Sequence, residues 1–581
     1  MIRDVAVIMF KNEILTSSLQ ERKQIVIDDV AALGYPYNEY DQGRKVGGYA
    51  AMAQFSKGDI STGLAYVNIH LDRNKDMFWG INVMEAYMKF KEYYTSELKN
   101  KVKAKMLSFN ILNADGTALS GNTENQRLMY AAVGVVGAEE WPEYPVNYAT
   151  IARSYLLSEL PTITKQGYFE YDSPTYFIHH VGPLLFITEH LKDATLRNMA
   201  KLTLEWYFSS IVGEWLHGYW VTSQARTYNA QQEPGYTLDE SVVLLWMLFG
   251  DSRKPIYLGN ETNLKFTTIP FAVADYELPD IFKRIATARS TTYTHKERMS
   301  RNSNKPYKTS YITPNYAVFS QKDSRLAQNQ LHRWGIKWVG DTYSDEPNTF
   351  FMKQHFSEPI NLNPSNSEYW IGGTNMEEVL QDDGALIAVY NITNSNTWID
   401  GPVSYNGIKA TIEQDPFNRN GWVFFHTGKM LMAVRTAQPY VWPYDTESWK
   451  YGGYQRSLRS DGAKNAVIVE TAPLMDYAGG TCIRELDCFA EAVLTKTVVD
   501  FSGVNDTYPR VYYKGLTGKE MEIVYATSRK IQGAEVNYAN WPLLDDPWMH
   551  QDYNGNKLDL VHDSERRTYD FNNWKVTSSI M

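Results

Sequence analysis

YKTSYITPNYAVFS, residues 307–320, is a short alternating run that is rich in β-branched and aromatic residues. A run of this kind is typical of antiparallel sheet. Further runs of this kind follow, separated by clusters of Gly, Asn, Asp and Pro, namely NTFFMKQHF, ALIAVYNIT, GWVFFHTGKMLMAVRT, AVIVET, TKTVVDFSG and RVYYKGL. We therefore predict that residues 251–581 form an antiparallel β-sheet domain, stacked as a large sandwich.

Upstream of this region, apolar residues recur at spacings of three and four, with short polar or Gly/Pro breaks between the segments. This spacing is typical of amphipathic helices, and it predicts about ten of them before Gly250. Residues 1–250 are therefore predicted to form an all-helical domain, with one more helix over 279–288 between the halves. The clearest segments are 14–33, 60–70, 78–94, 124–136, 148–157, 174–191, 196–212 and 238–249.

Length and composition limit the classes of protein. A chain of 581 residues exceeds the roughly 250–300 residues at which single cores stop growing, so two large domains are expected. Aromatic residues make up 14% of the chain, with 41 Tyr and 16 Trp. Sugar-binding clefts would explain this excess, because sugar rings stack on Tyr and Trp; packing between helices is the alternative. The net charge of −10 argues against a nucleic-acid partner, which requires clustered Lys and Arg.

Cysteine content and hydropathy bear on the compartment. Cys482 and Cys488 are the only cysteines, so the sequence offers no cysteine metal site, although this pair could close one short loop. No apolar run approaches the length of a membrane span, and the first residues, MIRDVAVIMFKNE, contain no visible signal peptide. We expect no membrane partner. Nothing in the sequence determines an oligomeric state.

Three clusters of polar residues could carry chemistry. The first, Gly121 to Asn125, places two amides, Asn122 and Asn125, beside the carboxylate of Glu124 where a helix opens. Asn122 or Thr123 could simply cap that helix, and Glu124 could favour its dipole. Two amides beside a carboxylate are more than capping needs, so a binding role is also predicted.

The second cluster, YFEYDSPTYFIHH, covers residues 168–180. Ser173 followed by Pro174 fits an N-cap and the first position of a helix. Such a helix would place Tyr176 on one face with His179 or His180, three and four residues later. A buried histidine is often only a packed core residue, but two of them beside Tyr, Asp and Glu favour a functional role.

The third cluster, HGYWVTSQARTY, covers residues 217–228 and is too rich in polar and aromatic side chains for a simple connection. Arg226 could bind a carboxylate through two hydrogen bonds, and its charge could lower the pKa of an adjacent tyrosine such as Tyr228. An ordinary salt bridge between helices is the alternative. His217, Tyr219 and Trp220 are predicted substrate-binding residues.

With these clusters, the chain resembles the polysaccharide lyases built from an incomplete α/α toroid followed by an antiparallel β-sandwich, which include chondroitin, hyaluronan, alginate and heparin lyases. TPNYAVFS, residues 313–320, and QLHRWG, residues 330–335, resemble the first sandwich strands of such lyases. Neither the Asn-Trp-Trp signature nor the Asn-Asn-His runs of particular subfamilies occur in the sequence, so the resemblance assigns no subfamily.

The resemblance implies a site made of an Asn, a His, a Tyr and an Arg. Asn122 or Asn125, aided by Arg226, would bind the uronate carboxylate and stabilise the enolate-like intermediate. In one scheme His179 or His180 acts as the base. In the other, the histidine helps to bind the carboxylate while Tyr228 transfers the proton, and Tyr176 is the second candidate for that transfer. The expected substrate is an acidic polysaccharide or oligosaccharide, and an extracellular or periplasmic location is favoured. No cofactor is required, and a structural divalent cation in the β half is compatible with the scheme.

Three other kinds of protein would use the same residue types as a lyase: a glycoside hydrolase, a non-catalytic glycan-binding protein and an epimerase. A glycoside hydrolase on the same scaffold would need two carboxylates, taken from Glu124, Glu170, Asp172 and Asp239. A glycan-binding protein would hold a chain without cleaving it. Epimerases and other uronate enzymes share the removal of the C5 proton, and the sequence does not separate them from lyases.

Overall fold

The structure is a computed structural model. It describes residues 18–35, 43–73, 75–227, 240–252, 266–299, 306–322, 331–339, 348–354, 376–395, 397–403, 407–415, 420–445, 456–479 and 482–581. In this part of the chain helices come first and antiparallel strands follow, so the predicted order of an α half and a β half is confirmed.

Most helices begin and end within about five residues of the predicted positions, but the helix predicted over 148–157 spans Val146–Gln166, and some helices were not indicated by the sequence. The predicted start at Glu124 is confirmed. The described helices are α1 Leu19–Leu33, α2 Gly43–Ser56, α3 Ile60–Leu71, α4 Met77–Phe90, α5 Ser96–Leu107, α6 Glu124–Glu140, α7 Val146–Gln166, α8 Phe177–His190, α9 Ala194–Val212, α10 Glu240–Phe249, α11 Ile269–Val273, α12 Asp280–Thr287 and α13 Glu485–Lys496, with 3₁₀ turns at Lys91–Tyr93 and Leu474–Asp476.

The helices of this half pack around one large apolar core. Helix α2 packs on α3 and α4, and α6 packs on α7 and α8. Two of these helices approach closely at Gly48 of α2, whose backbone N–H donates to the Asn82 side chain of α4 (3.0 Å). A Cβ at this position would lie 2.5 Å from the Asn82 carbonyl oxygen, so only glycine allows the two backbones this close.

One predicted helix start is wrong. Ser173 was expected to cap a helix starting at Pro174, but α8 starts at Phe177 with Tyr176 as its N-cap residue. The Ser173 hydroxyl instead accepts a hydrogen bond from the backbone N–H of Tyr176 (3.2 Å), which closes a turn before the helix. Residues 167–176 are therefore a loop, named here the site loop.

Short strands occupy residues 215–225 of the α half, and longer ones form the β half. The strands of the described part are β1 Trp215–Leu216, β2 Tyr219–Trp220, β3 Gln224–Ala225, β4 Tyr293–Arg298, β5 Tyr307–Ile312, β6 Tyr316–Lys322, β7 Leu331–His332, β8 Trp334–Trp338, β9 Asn348–Phe350, β10 Glu377–Asp382, β11 Ala385–Asn391, β12 Trp398–Val403, β13 Ala410–Glu413, β14 Trp422–His426, β15 Met430–Thr436, β16 Tyr440–Asp445, β17 Arg456–Asp461, β18 Lys464–Pro473, β19 Val498–Asp500, β20 Arg510–Lys514, β21 Glu520–Val524, β22 Ser528–Ile531, β23 Ala534–Glu535, β24 Leu544–Asp546, β25 Met549–Gln551, β26 Lys557–His562, β27 Glu565–Asp570 and β28 Lys575–Ile580.

Two large antiparallel sheets face each other across a shared core. A ten-stranded sheet has the order β28-β27-β26-β25-β24-β4-β5-β6-β8-β9, and a six-stranded sheet has the order β10-β11-β18-β15-β14-β13. Val318 and Ile336 of the first sheet pack with Leu386 and Val467 of the second. The far face of the six-stranded sheet is covered by α13 and by the five-stranded sheet β19 to β23.

The other face of the ten-stranded sheet packs on the helices. Leu544 and Leu560 belong to the same apolar core as the helical half. The indole N–H of Trp206 donates to the Gln551 side chain (2.9 Å), and the Tyr171 hydroxyl donates to the Gln321 side chain (2.9 Å). One face of this sheet therefore packs against the helices and against the site loop.

Much of the aromatic excess is core packing. Seven tryptophans are among the largest fully buried side chains: Trp79, Trp206, Trp215, Trp246, Trp334, Trp338 and Trp422.

The two cysteines, Cys482 and Cys488, form the disulfide that the sequence allowed for, just before and inside α13. Across the described ranges, none of the helices has the length and apolar character needed to cross a bilayer.

Candidate functional site

The candidate site lies where α6 and α8 begin, beside the site loop and the segment 221–227. A carboxylate oxygen of Glu124 accepts a hydrogen bond from the backbone N–H of Phe169 (2.7 Å), which joins the start of α6 to the loop. The Ser173 hydroxyl donates to the carbonyl oxygen of Arg226 (3.1 Å), which joins the loop to the segment 221–227. The first, second and third sequence clusters therefore meet here.

Arg226 is held from two sides. Its Nη2 lies 3.1 Å from the Tyr176 phenol oxygen, and its guanidinium carbon lies 4.6 Å from the centre of that ring. Its Nη1 lies 3.1 Å from a carboxylate oxygen of Glu170. The Arg226 side chain is 22% exposed, whereas Glu170 is 1% exposed, so the cation faces both the solvent and a buried anion.

The backbone explains how Arg226 reaches this position. Strand β3 pairs with β7 of the β half, with Gln224 opposite His332 and Ala225 opposite Leu331. Arg226 follows directly with φ of +53°, a left-handed conformation that is uncommon outside glycine and concentrates at functional sites. The chain therefore leaves the strand pair in a sharp turn at the residue that contacts Tyr176.

His180 lies beneath the site and is fully buried. Its Nδ1 lies 2.8 Å from the Tyr176 carbonyl oxygen. A carbonyl oxygen can only accept, so Nδ1 carries the proton of this hydrogen bond. The Nε2 atom then faces a carboxylate oxygen of Glu124 at 3.7 Å. The imidazole is thus fixed in orientation between the start of α8 and the start of α6.

Glu170 was considered from the sequence only as a carboxylate for a hydrolase, but it is central to this group. Burial raises its pKa, the nearby Glu124 adds to that effect, and His180 and Arg226 oppose it. Among the described residues its second carboxylate oxygen has no hydrogen-bond partner. The sequence feature that could have identified Glu170 as a site residue is its position in the aromatic-rich second cluster, three residues before Ser173 and six before Tyr176. Its pairing with Arg226 could not be read from spacing.

The remaining predicted residues of the first two clusters lie around this group. Asn125 is 1% exposed, and its side-chain oxygen accepts from the backbone N–H of Gln126 (2.8 Å). Asn122 is exposed two residues before this helix, whose N-cap residue is Thr123. His179 packs edge to face on Phe78, with ring centres 4.9 Å apart.

The predicted residues of the third cluster have more varied positions. His217 lies 2.8 Å from a carboxylate oxygen of Asp251. Trp220 is 2% exposed and packs on Phe177, so its indole supports the start of α8 and has little surface left for stacking on a sugar. Tyr219 is half-buried in the β1–β2 hairpin. Tyr228, the first choice for proton transfer, lies outside the described residues.

A second charged group lies below the site, between the helices and the ten-stranded sheet. Ligand atoms of Glu214, His295 and Glu297 lie within 4.8 Å of one another, and this combination could hold a metal ion. The Lys308 ammonium, however, lies against two of these carboxylates, 3.3 Å from Glu214 and in direct contact with Glu297. A cation of the protein itself therefore already compensates this group.

The sequence was also compared with known proteins. No protein-family model matches it, and no curated protein matches it. The geometry of the site therefore carries the functional argument.

Proposed function

We propose that the chain is a polysaccharide lyase that cleaves a uronic-acid-containing polysaccharide by β-elimination, on an incomplete α/α toroid followed by a β-sandwich. The observation that carries this proposal is the contact of Arg226 with the Tyr176 phenol oxygen (3.1 Å) at a partly open site. Tyr176, which the sequence placed in reserve behind Tyr228, takes the role of the proton-transfer residue in this proposal.

The reaction removes the proton at C5 of the uronate and expels the sugar linked at O4. One tyrosine can perform both proton transfers, as a base in the phenolate form and then as an acid toward the leaving oxygen. A guanidinium that donates to the phenol oxygen stabilises negative charge on it, because opposite charge at hydrogen-bond distance favours the ionised form. Arg226 therefore prepares Tyr176 to accept the C5 proton.

The substrate carboxylate must also be neutralised, because the intermediate carries a second negative charge. The exposed part of Arg226 is available for this role, whereas Asn125 is 1% exposed, so its amide group would contribute only where the bound substrate reaches it. The Asn125 oxygen is held by the Gln126 backbone, so its NH₂ is the part left to donate. Such prearranged donors are worth roughly 3–4 kcal/mol of transition-state stabilisation each.

The alternative of hydrolysis is less well supported by the carboxylates present. Asp172 is fully buried against Lys308, and Glu170 is buried against Arg226. Asp239 lies outside the described residues. A hydrolase needs one carboxylic acid to protonate the leaving oxygen and one carboxylate to act as base or nucleophile, both facing the sugar. Only Glu124 retains some exposure, about a tenth of its side chain.

The proposed location is extracellular or periplasmic. A large polymeric substrate lies outside the cell, and the disulfide between Cys482 and Cys488 supports an oxidising compartment, where such bonds persist.

The test is ultraviolet absorbance of the C4–C5 double bond while the protein is mixed with alginate, glucuronan, hyaluronan, chondroitin, heparin or a rhamnose-glucuronate polymer. We expect the absorbance to rise with at least one polymer and to be abolished by Tyr176→Phe and by Arg226→Met. New reducing ends without absorbance would indicate a hydrolase, and binding without any product would indicate a glycan-binding protein; either result would refute the lyase.

A further inference from the structure

Lys308 is a lysine on the buried face of a strand. Side chains alternate along β5, so Lys308, Ser310 and Ile312 point toward the helices. The Lys308 ammonium contacts the carboxylates of Asp172, Glu214 and Glu297, and all four side chains are at most 1% exposed. One cation from the sheet thus contacts three carboxyl groups, one of which belongs to the site loop.

The charges around Lys308 are strongly interdependent. Burial alone would lower the pKa of Lys308, but the three carboxylates outweigh burial and raise it, so the ammonium form persists. On the far side of Glu297, His295 lies 3.0 Å from Glu297 and 2.9 Å from Asp546. Without Lys308 the loop carboxylate of Asp172 would face the carboxyl groups of Glu214 and Glu297, and no other cation of the described ranges forms an ion pair with it.

Asp172 connects this charged group to the candidate site. The Asp172 carboxylate accepts a hydrogen bond from the Tyr168 hydroxyl (3.0 Å). The backbone N–H of Asp172 donates to the oxygen of that same Tyr168 hydroxyl (2.9 Å). The Tyr168 ring lies 5.4 Å from the ring of His180, centre to centre. Asp172 has φ of +49°, a left-handed conformation that is uncommon outside glycine, although Asp adopts it more readily than most residues. Glu170 lies two residues before it, and Tyr176 four residues after it.

We propose that Lys308 is a positioning residue, which fixes the site loop on the ten-stranded sheet through Asp172 and so holds Glu170 and Tyr176 at their distances from Arg226. Its catalytic consequence rests on the proposed lyase function, but its structural consequence does not. The β half is then part of the working site although none of its side chains takes part in the proposed proton transfer.

The test compares Lys308→Met with Arg567→Met. Arg567 is a matched control because it also projects from the ten-stranded sheet, and it lies 3.0 Å from the fully buried carboxylate of Glu205 in α9, away from the site loop. Amide hydrogen exchange of residues 167–176 should be about tenfold faster in Lys308→Met and unchanged in Arg567→Met. Lys308→Arg, which keeps the charge, should restore much of the protection.

If Lys308→Met does not fold, Asp172→Asn replaces it, because it keeps the shape of the side chain and removes only the charge that Lys308 holds. Equal exchange in wild type and variant would overturn the proposal, and so would equal loosening of the loop in the Arg567→Met control. With a lyase substrate in hand, kcat should fall about 100-fold with little change in KM, as expected for displaced catalytic groups. Failure to find any lyase substrate would leave the exchange result as a separate test.

Discussion

Replacing Tyr176 by Phe separates the chemistry of the site from its stability. The variant keeps the ring that the Arg226 guanidinium covers at 4.6 Å and removes only the phenol oxygen. The lost hydrogen bond to a charged group is worth about 1.5–3 kcal/mol in a buried setting. Tyr176 is only half-buried, and Arg226 keeps its contact with Glu170, so we expect a loss of about 1 kcal/mol in the free energy of unfolding.

The effect on turnover should be much larger. A positioned acid–base group contributes about 10²–10⁴-fold to the rate, equivalent to roughly 2.7–5.5 kcal/mol of activation free energy. Initial rates of double-bond absorbance on the best polymer measure this, and urea denaturation measures stability. Tyr148→Phe is the matched control, because this tyrosine of α7 also loses one hydrogen bond, to Asn110 (3.0 Å), and lies outside the site loop. Retention of more than about a tenth of the wild-type kcat in Tyr176→Phe would refute the proposed role.

Three further predictions address charge, pH and the disulfide. Arg226→Lys keeps the charge but cannot contact Tyr176 and Glu170 together, so kcat on the same polymer should fall by about 10-fold or more. A wild-type rate would show that the two simultaneous contacts of Arg226 are not needed for turnover. Burial raises the pKa of Glu85 from 4.5 to about 8, so its stabilising protonation is complete below pH 4.5 and lost as the pH rises through about 8. Urea denaturation should therefore show stability falling between about pH 5 and 9, and Glu85→Gln should flatten that fall; an unchanged slope would contradict the assignment. Cys482→Ser opens a short loop and should lower the stability of the region around α13 by about 2 kcal/mol in thermal unfolding, with no change in turnover.

The order of helices and strands along the chain could be predicted from the sequence, because it depends on the local periodicity of apolar residues. Spacings of three and four placed α6 and α9 within a few residues, and alternating runs indicated the strands near residues 498 and 510. Periodicity does not tell which strands are neighbours. The C-terminal strands complete the first sheet, with Leu544 opposite Glu297, and no local pattern encodes that pairing. Helix α13 was missed because its segment lies among strand-forming runs.

The residue types of the site were accessible from the sequence, whereas their partners were not. The sequence indicates Asn122 or Asn125, His179 or His180, and Arg226, because the chemistry of these side chains suits a uronate, and they lie in three clusters far apart in the chain. Which tyrosine lies beside Arg226 depends on the turn that Arg226 makes after β3, and that strand exists only because β7 from the β half pairs with it. The loop that carries Glu170 and Tyr176 ends in a turn instead of a longer helix, and its Asp172 is held in a left-handed conformation against Lys308. The arrangement of the proposed site is therefore determined by contacts between the two halves, which a reading of either half alone does not contain.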